Sequence, residues 1–208
     1  MIIQSLVDFV LHLDDKVGLI LQDYGYFTYI IMFLIIFLET GIVIAPFLPG
    51  DSLLFVLGTF AGAGFLNILM LFFLLALAAI IGDSVNYLIG NYFGENIFKK
   101  SKLFKEEYLV KTKEFYHKYG GGKTIFLARF IPIIRTFAPF VAGVGKMDYS
   151  RFLVFNIAGG ISWVSLFLFG GYFFGGIPII KENLTIVIII IIVASIIPIF
   201  VECLRKRS

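Results

Sequence analysis

Of the 208 residues, 60% are hydrophobic, 17% aromatic and only 15% charged, with a mean hydropathy of +0.98. A soluble globular domain carries roughly 25% charged residues, so this composition excludes a soluble fold and indicates an integral membrane protein of one compact domain, residues 1–208. The net charge of +3 matters through its placement: lysines crowd 95–123, and Arg205, Lys206 and Arg207 lie at the C-terminus.

Residues 1–23 lack a basic start and a small-residue cleavage site, and Asp8, Asp14 and Asp15 interrupt their apolar run, so they do not read as a cleaved signal. Ser5, Asp8, His12 and Asp15 share one helical face, with Ile2, Leu6, Phe9, Val10, Leu13 and Val17 on the other. The spacing predicts an amphipathic helix lying in the membrane interface. A helix needs roughly 20 apolar residues to cross a hydrocarbon core of about 30 Å. Tyr26 to Ile44, Leu66 to Phe93, Phe152 to Phe174 and Leu184 to Val201 meet that need. Two further apolar stretches, Ala45 to Gly62 and Thr124 to Gly145, are interrupted by Pro46 and Pro49 and by Pro132 and Pro139. Proline removes a backbone donor and breaks a helix, so neither is expected to cross straight through.

Charge placement decides how the second of these runs. Basic segments stay on the cytoplasmic side of a bilayer. If Thr124 to Gly145 crossed once from a cytoplasmic 95–123 segment, the terminal basic cluster would fall outside. If it dips in and returns, Lys146, Arg151 and the terminal cluster all remain cytoplasmic. A weaker echo places Glu39, Phe47 and Pro49 opposite Arg129, Phe137 and Pro139 at an offset of 90 residues, and "GNYFG" at 90–94 resembles "GGYFFG" at 170–175. The expected fold is all-α and polytopic, with two opposed re-entrant helical hairpins related by a pseudo-inverted repeat. Transporters often build substrate sites where such interrupted helices meet.

Glu39, Asp51, Asp83, Arg129 and Arg135 are ionisable residues in otherwise apolar text. Each costs roughly 2.5–3.5 kcal/mol at the centre of an inserted helix, so each is expected to pair or to face a polar cavity. One reading makes them fastenings between hairpins, Glu39 or Asp51 against Arg129 or Arg135. The other makes the guanidinium groups of Arg129 and Arg135 a phosphate clasp and Glu39 and Asp51 proton carriers, because a carboxylate in low dielectric binds protons more readily than one in water. Asp83 and Asn86 either line the cavity or bond between helices. Trp163 is expected to pack, and the glycine triplet 120–122 to end an amphipathic helix and turn the chain into the second hairpin. "HKYGGGKT" lacks the first glycine of a phosphate-binding loop. No metal-ligand spacing, no cofactor motif and no nucleophilic triad is apparent, so an enzyme is not expected. Glu95, Glu106, Glu107 and Glu114 interleave with the lysines, which argues for a solvated helix over nucleic-acid binding. Cys203 has no partner for a disulfide.

"FLETGIVIAPFLPGDSLLF", "GDSVNYLIGNYFG" and "FYHKYGGGKTIFLARFIPIIRTFAPFVAGVGKMDYSRFLVFNIAGGISW" resemble the DedA family, whose shared region is called the VTT domain, over about Tyr26 to Gly175. The resemblance implies opposed re-entrant hairpins and movement of lipids across the bacterial cytoplasmic membrane. It implies a required acidic pair at Glu39 and Asp51 and a required arginine pair at Arg129 and Arg135; Asp51 stands where the family often has Glu. Family members carry undecaprenyl phosphate, others phosphatidylethanolamine. The expected function is therefore proton-coupled translocation of undecaprenyl phosphate. Its alternatives are a phospholipid translocase or scramblase, and a proton-coupled cation antiporter. Whether the chain forms a homo-oligomer is open.

Overall fold

The computed structural model describes residues 13–42, 50–100, 121–178, 180, 183 and 186–191. Every regular element among them is helical: α1 (Leu13–Tyr24), α2 (Phe27–Gly41), α3 (Gly50–Gly62), α4 (Ile68–Lys100), α5 (Gly121–Ala128), α6 (Pro132–Val144) and α7 (Tyr149–Phe174). Most of the expected 1–23 helix, the basic stretch beyond Lys100 and most of the expected span Leu184 to Val201 lie outside the described residues; within that span, 186–191 are helical.

The helix boundaries follow from local chemistry. Asn67 Oδ1 accepts from the Met70 amide at 3.0 Å and Asp148 Oδ1 from the Arg151 amide at 2.9 Å, so each long helix starts on a side-chain cap that satisfies an otherwise unpaired N–H. The second broken stretch is two short helices. Ile131 takes an extended conformation (φ −124°, ψ 104°), as the residue before a proline is pushed to do, and Pro132 then opens α6, where its missing N–H costs nothing. α5 and α6 pack on one another across this break. Gly121 and Gly122 stand in the first turn of α5; the helix that the triplet was expected to end lies outside the described residues. Packing explains Gly122: a Cβ there would overlap the Phe155 ring.

The described helices form two compact units. The first combines α1, α2 through Leu34, α3, α4 through Leu75 and α7 from Val164; the second combines α2 from Ile35, α4 from Ala76, α5, α6 and α7 through Trp163. Within the first unit α1 packs on α3, with Val17 buried and Asp15 and Lys16 outward, as its amphipathic pattern requires. There α3 also lies directly on the backbone of α7. A side chain at Gly58 would overlap the Leu168 carbonyl and come within 2.8 Å of the Tyr172 nitrogen, and Gly171 is equally tight against the backbone of Phe55. Small residues allow this close approach, which is how apolar helices gain packing energy where no hydrophobic effect drives them together.

The second unit has a crossing of the same kind between α6 and α4. A side chain at Gly143 would overlap the Tyr87 carbonyl and reach within 2.7 Å of the Asn91 nitrogen, while Gly90 abuts the backbone of Phe140. Beside it Tyr87, Ile125, Ala128, Ala138, Ala142 and Phe152 form an apolar core. Tyr87 stacks on Phe152 with ring centroids 4.6 Å apart, and its hydroxyl donates to the Met147 carbonyl.

The outer faces are also apolar. On α4 the large side chains Leu69, Phe73, Leu77, Ile81, Leu88 and Tyr92 are exposed along the helix, and Ile30, Leu34 and Leu38 form a stripe on α2. Continuous exposed apolar stripes on both a long and a short helix are what a lipid-facing surface requires. Ile68–Tyr92 and Tyr149–Phe174 are each long and apolar enough to cross a bilayer.

Candidate functional site

The buried charges are held by one stretch of α4, "GDSVNYLIG" at 82–90, in which almost every polar residue has a separate task. Gly82 lets α2 approach, since a Cβ there would collide with the Thr40 hydroxyl. Thr40 Oγ1 in turn donates back to the Ile36 carbonyl at 2.9 Å. Asp83 faces Arg129, which sits just after the last residue of α5, where the chain leaves the helix ahead of Pro132. Nη2 of Arg129 donates to Asp83 Oδ2 at 2.6 Å, to Asn156 Oδ1 at 2.5 Å and, more weakly, to the Ala79 carbonyl at 3.3 Å. Asn156, on α7, is itself fixed by donating from Nδ2 to the Ile80 carbonyl at 3.0 Å and to Ser84 Oγ at 3.3 Å. The Arg129 side chain crosses α7 where two glycines leave room: a Cβ at Gly159 would come within 3.0 Å of its Cδ, and one at Gly160 within 3.4 Å of its Nη2.

A second pair lies in the same unit. Arg135, in the first turn of α6, donates from Nη2 to Glu39 Oε1, near the end of α2. Its guanidinium carbon lies 4.5 Å from the ring centroid of Trp163, a geometry in which the ring's negative face attracts the cation. Trp163 therefore packs, as its mid-helix position implied, and also bears on a charged residue. Asn86 joins the two arms: its Nδ2 donates to the Thr136 carbonyl at 2.8 Å and the Thr40 carbonyl at 3.3 Å. Those carbonyls belong to the residues that follow Arg135 and Glu39, so one amide ties down the backbone beside both members of the pair.

Glu39, Asp83, Arg129 and Arg135 are exposed by only 1%, 1%, 2% and 5%. Moving an ion to such an environment costs several kcal/mol, recovered only when its partners are close and well aligned. Each pair is in direct contact, yet coverage is incomplete. Arg129 Nε and Nη1, Asp83 Oδ1 and Asn86 Oδ1 are buried with no hydrogen-bond partner among the described residues. A buried guanidinium with only one of its three nitrogens engaged is a donor surface awaiting an acceptor.

The expected site residues thus divide. Glu39 and Arg135 meet, as one pairing in the sequence reading proposed. Arg129 is joined to Asp83 and Asn156, a combination that reading did not contain. Asn86 bonds between helices. Asp51 belongs to the other unit, in the first turn of α3, where a negative charge suits the helix dipole. Asn156, Ser84 and the Gly159–Gly160 pair were not anticipated. The only sequence signal for them is polar and small residues within an otherwise apolar span. Among the described residues no cluster of His, Cys, Asp or Glu could hold a metal.

Residues 48–173 match the family model of the VTT domain. The chain is 51% identical over 210 residues to the protein DedA of Escherichia coli, covering 99% of this chain and 95% of that one. It is 43% identical over 166 residues to a membrane protein of Mycobacterium leprae, 79% of this chain and 74% of that one. To the Escherichia coli inner membrane protein YqjA it is 33% identical over 153 residues, 73% of this chain and 69% of that one. No solved structure matches. With a family match over more than half its length and a relative aligned almost end to end, the chain belongs to the DedA family of membrane proteins.

Proposed function

We propose that this protein is a lipid-phosphate translocase of the bacterial inner membrane, with undecaprenyl phosphate as its substrate, working as a carrier and not as an enzyme. The observation that carries the reading is the half-engaged guanidinium of Arg129: two of its nitrogens are buried without a partner among the described residues, beside a second buried arginine in a site of balanced charge. Guanidinium forks suit phosphate oxygens. A polyprenyl tail is at home against the exposed apolar faces while its head group needs a polar interior.

α5 and α6 have 8 and 13 residues, or about 12 and 20 Å of helix, short of the roughly 30 Å hydrocarbon core. Both support a hairpin that enters the membrane and returns, with 95–123 and the C-terminus cytoplasmic by the positive-inside rule. The recurrence in α3 (Phe55 to Gly58) of the Phe-Val-x-Gly pattern of α6 (Phe140 to Gly143) supports a second hairpin containing α3. In this reading Arg129 and Arg135 hold the phosphate, Glu39 and Asp51 exchange protons that reset the site, and Asp83 and Asn86 line it. A membrane potential supplies about 2.3 kcal/mol per charge per 100 mV, enough to bias such a cycle. Substituting Arg129 or Arg135 by Ala, with surface exposure of undecaprenyl phosphate as readout, tests it. Loss of carrier-lipid turnover in a correctly inserted variant is expected, and unchanged turnover overturns the assignment. Proteoliposomes separate the cation antiporter: a cation-driven pH change with no lipid substrate present favours that alternative. Phosphatidylethanolamine in place of the lipid phosphate probes the remaining one.

A further inference from the structure

The charged side chains buried in the second unit, among the described residues, are Glu39, Asp83, Arg129 and Arg135. Their formal charges sum to zero. An anionic head group entering this site adds an uncompensated charge where solvation is poor, and a buried ion without a partner is strongly disfavoured. Either the anion stays out or a carboxylate becomes neutral as it comes in.

The surroundings of Arg129 select the carboxylate. Its Nη2 has three acceptors, of which only Asp83 is charged; Asn156 Oδ1 and the Ala79 carbonyl are neutral and stay in place. Neutralising Asp83 therefore frees the charge of Arg129 without freeing its position. Asn156 is held independently by Ile80 and Ser84, so the clamp does not depend on the carboxylate. Asp83 Oδ1 already lacks a donor, as does Asn86 Oδ1 one turn along the same face of α4. A proton on Asp83 supplies a donor where two acceptors lack one. The charged groups around Asp83 are Arg129, just past the end of α5, and Arg135 from α6, with Glu39 on α2 paired to the latter; α7 presents the neutral Asn156.

We propose that Asp83 is the carboxylate that yields Arg129 to an incoming phosphate oxygen, taking up one proton from water as it does so and returning it when the anion leaves. The inference rests on the lipid-phosphate reading above and adds to it a third carboxylate and a fixed exchange: one proton in for one negative charge in. No covalent bond other than the carboxyl O–H is made or broken.

The test uses the full-length protein in detergent with farnesyl phosphate as probe. Calorimetric titration in two buffers of different ionisation enthalpy, at one alkaline pH, counts the protons taken up on binding. Wild type should take up one proton more than Asp83→Asn, a comparison in which the probe's own titration cancels, and its affinity should change by about tenfold per pH unit more steeply than the variant's. Equal proton counts in the two overturn the inference while leaving the phosphate site standing. No binding of farnesyl phosphate to wild type overturns the lipid-phosphate reading itself. Should Asp83→Asn fail to fold, infrared difference spectra decide: adding probe to wild type must produce a protonated-carboxyl band that Glu39→Gln retains. Absence of the band, or its loss in Glu39→Gln, assigns the proton elsewhere.

Discussion

The two units solve the same packing problem and fill the solution differently. In the first, Phe55 and Gly58 bring α3 onto α7; in the second, Phe140 and Gly143 bring α6 onto α4, with Gly171 and Gly90 returning the contact. Around the first crossing the buried side chains are mainly apolar, among them Leu53, Leu54, Val56, Leu57, Leu71, Leu75 and Leu168. Around the second stand four charges and the amides of Asn86 and Asn156. A helix crossing of this kind evidently needs no ions. Because well-packed apolar residues stabilise as well as a buried ion pair or better, the need to pack α6 on α4 does not by itself account for the charges of the second unit.

Removing one partner of a buried pair breaks this comparison most sharply. Arg129→Ala leaves the Asp83 carboxylate buried and is expected to cost about 3–5 kcal/mol, read as a lowered unfolding midpoint in detergent. Arg129→Met combined with Asp83→Leu should recover much of that loss, whereas a shortfall equal to the sum of the single changes would mean the pair is not coupled. The glycines come next. Gly58→Ala and Gly143→Ala insert a methyl group against backbone that has no rotamer to yield, and each should cost about 1–3 kcal/mol or more. Similar losses in the two variants would establish the crossings as equivalent; a large effect in one alone would separate them. Trp163→Phe keeps an aromatic face under Arg135 but a weaker one, and about 0.5–2 kcal/mol of attraction is at stake. A double-mutant cycle with Arg135→Lys measures it, and should be largest in the detergent that best excludes water. Smallest are the helix caps: Asn67→Ala and Asp148→Ala should each lower stability by about 1 kcal/mol, one at the head of α4 and one at the head of α7.

The two crossings relate positions at spacings other than the 90-residue echo. Phe47 and Pro49 of that echo lie outside the described residues, while Pro139 lies inside α6. Equivalent contacts instead relate Phe55 and Gly58 to Phe140 and Gly143, and Gly90 to Gly171, so the short and the long helices follow different offsets. Within "GNYFG" and "GGYFFG", Gly90 and Gly171 mark where a long helix is bare enough for another backbone to touch it.

Composition, the proline breaks and the isolated ionisable residues were legible in the sequence because each reports a cost that any membrane fold must meet: apolar length to span, a missing N–H that ends a helix, a charge that demands a partner. From these came the membrane class, the start of α4 and both limits of α7 to within three residues, the break ahead of α6 and the list of charged candidates, while α4 runs seven residues past the expected end of its span. Which charge meets which was decided by tertiary structure alone. Asp83 and Arg129 are 46 residues apart, and their meeting depends on how α5 is laid against α4, on room left by Gly159 and Gly160, and on Asn156 arriving from a third helix. Pairing in low dielectric is settled by distances of an ångström or so, and such distances are set by helix packing, which no local pattern along the chain encodes.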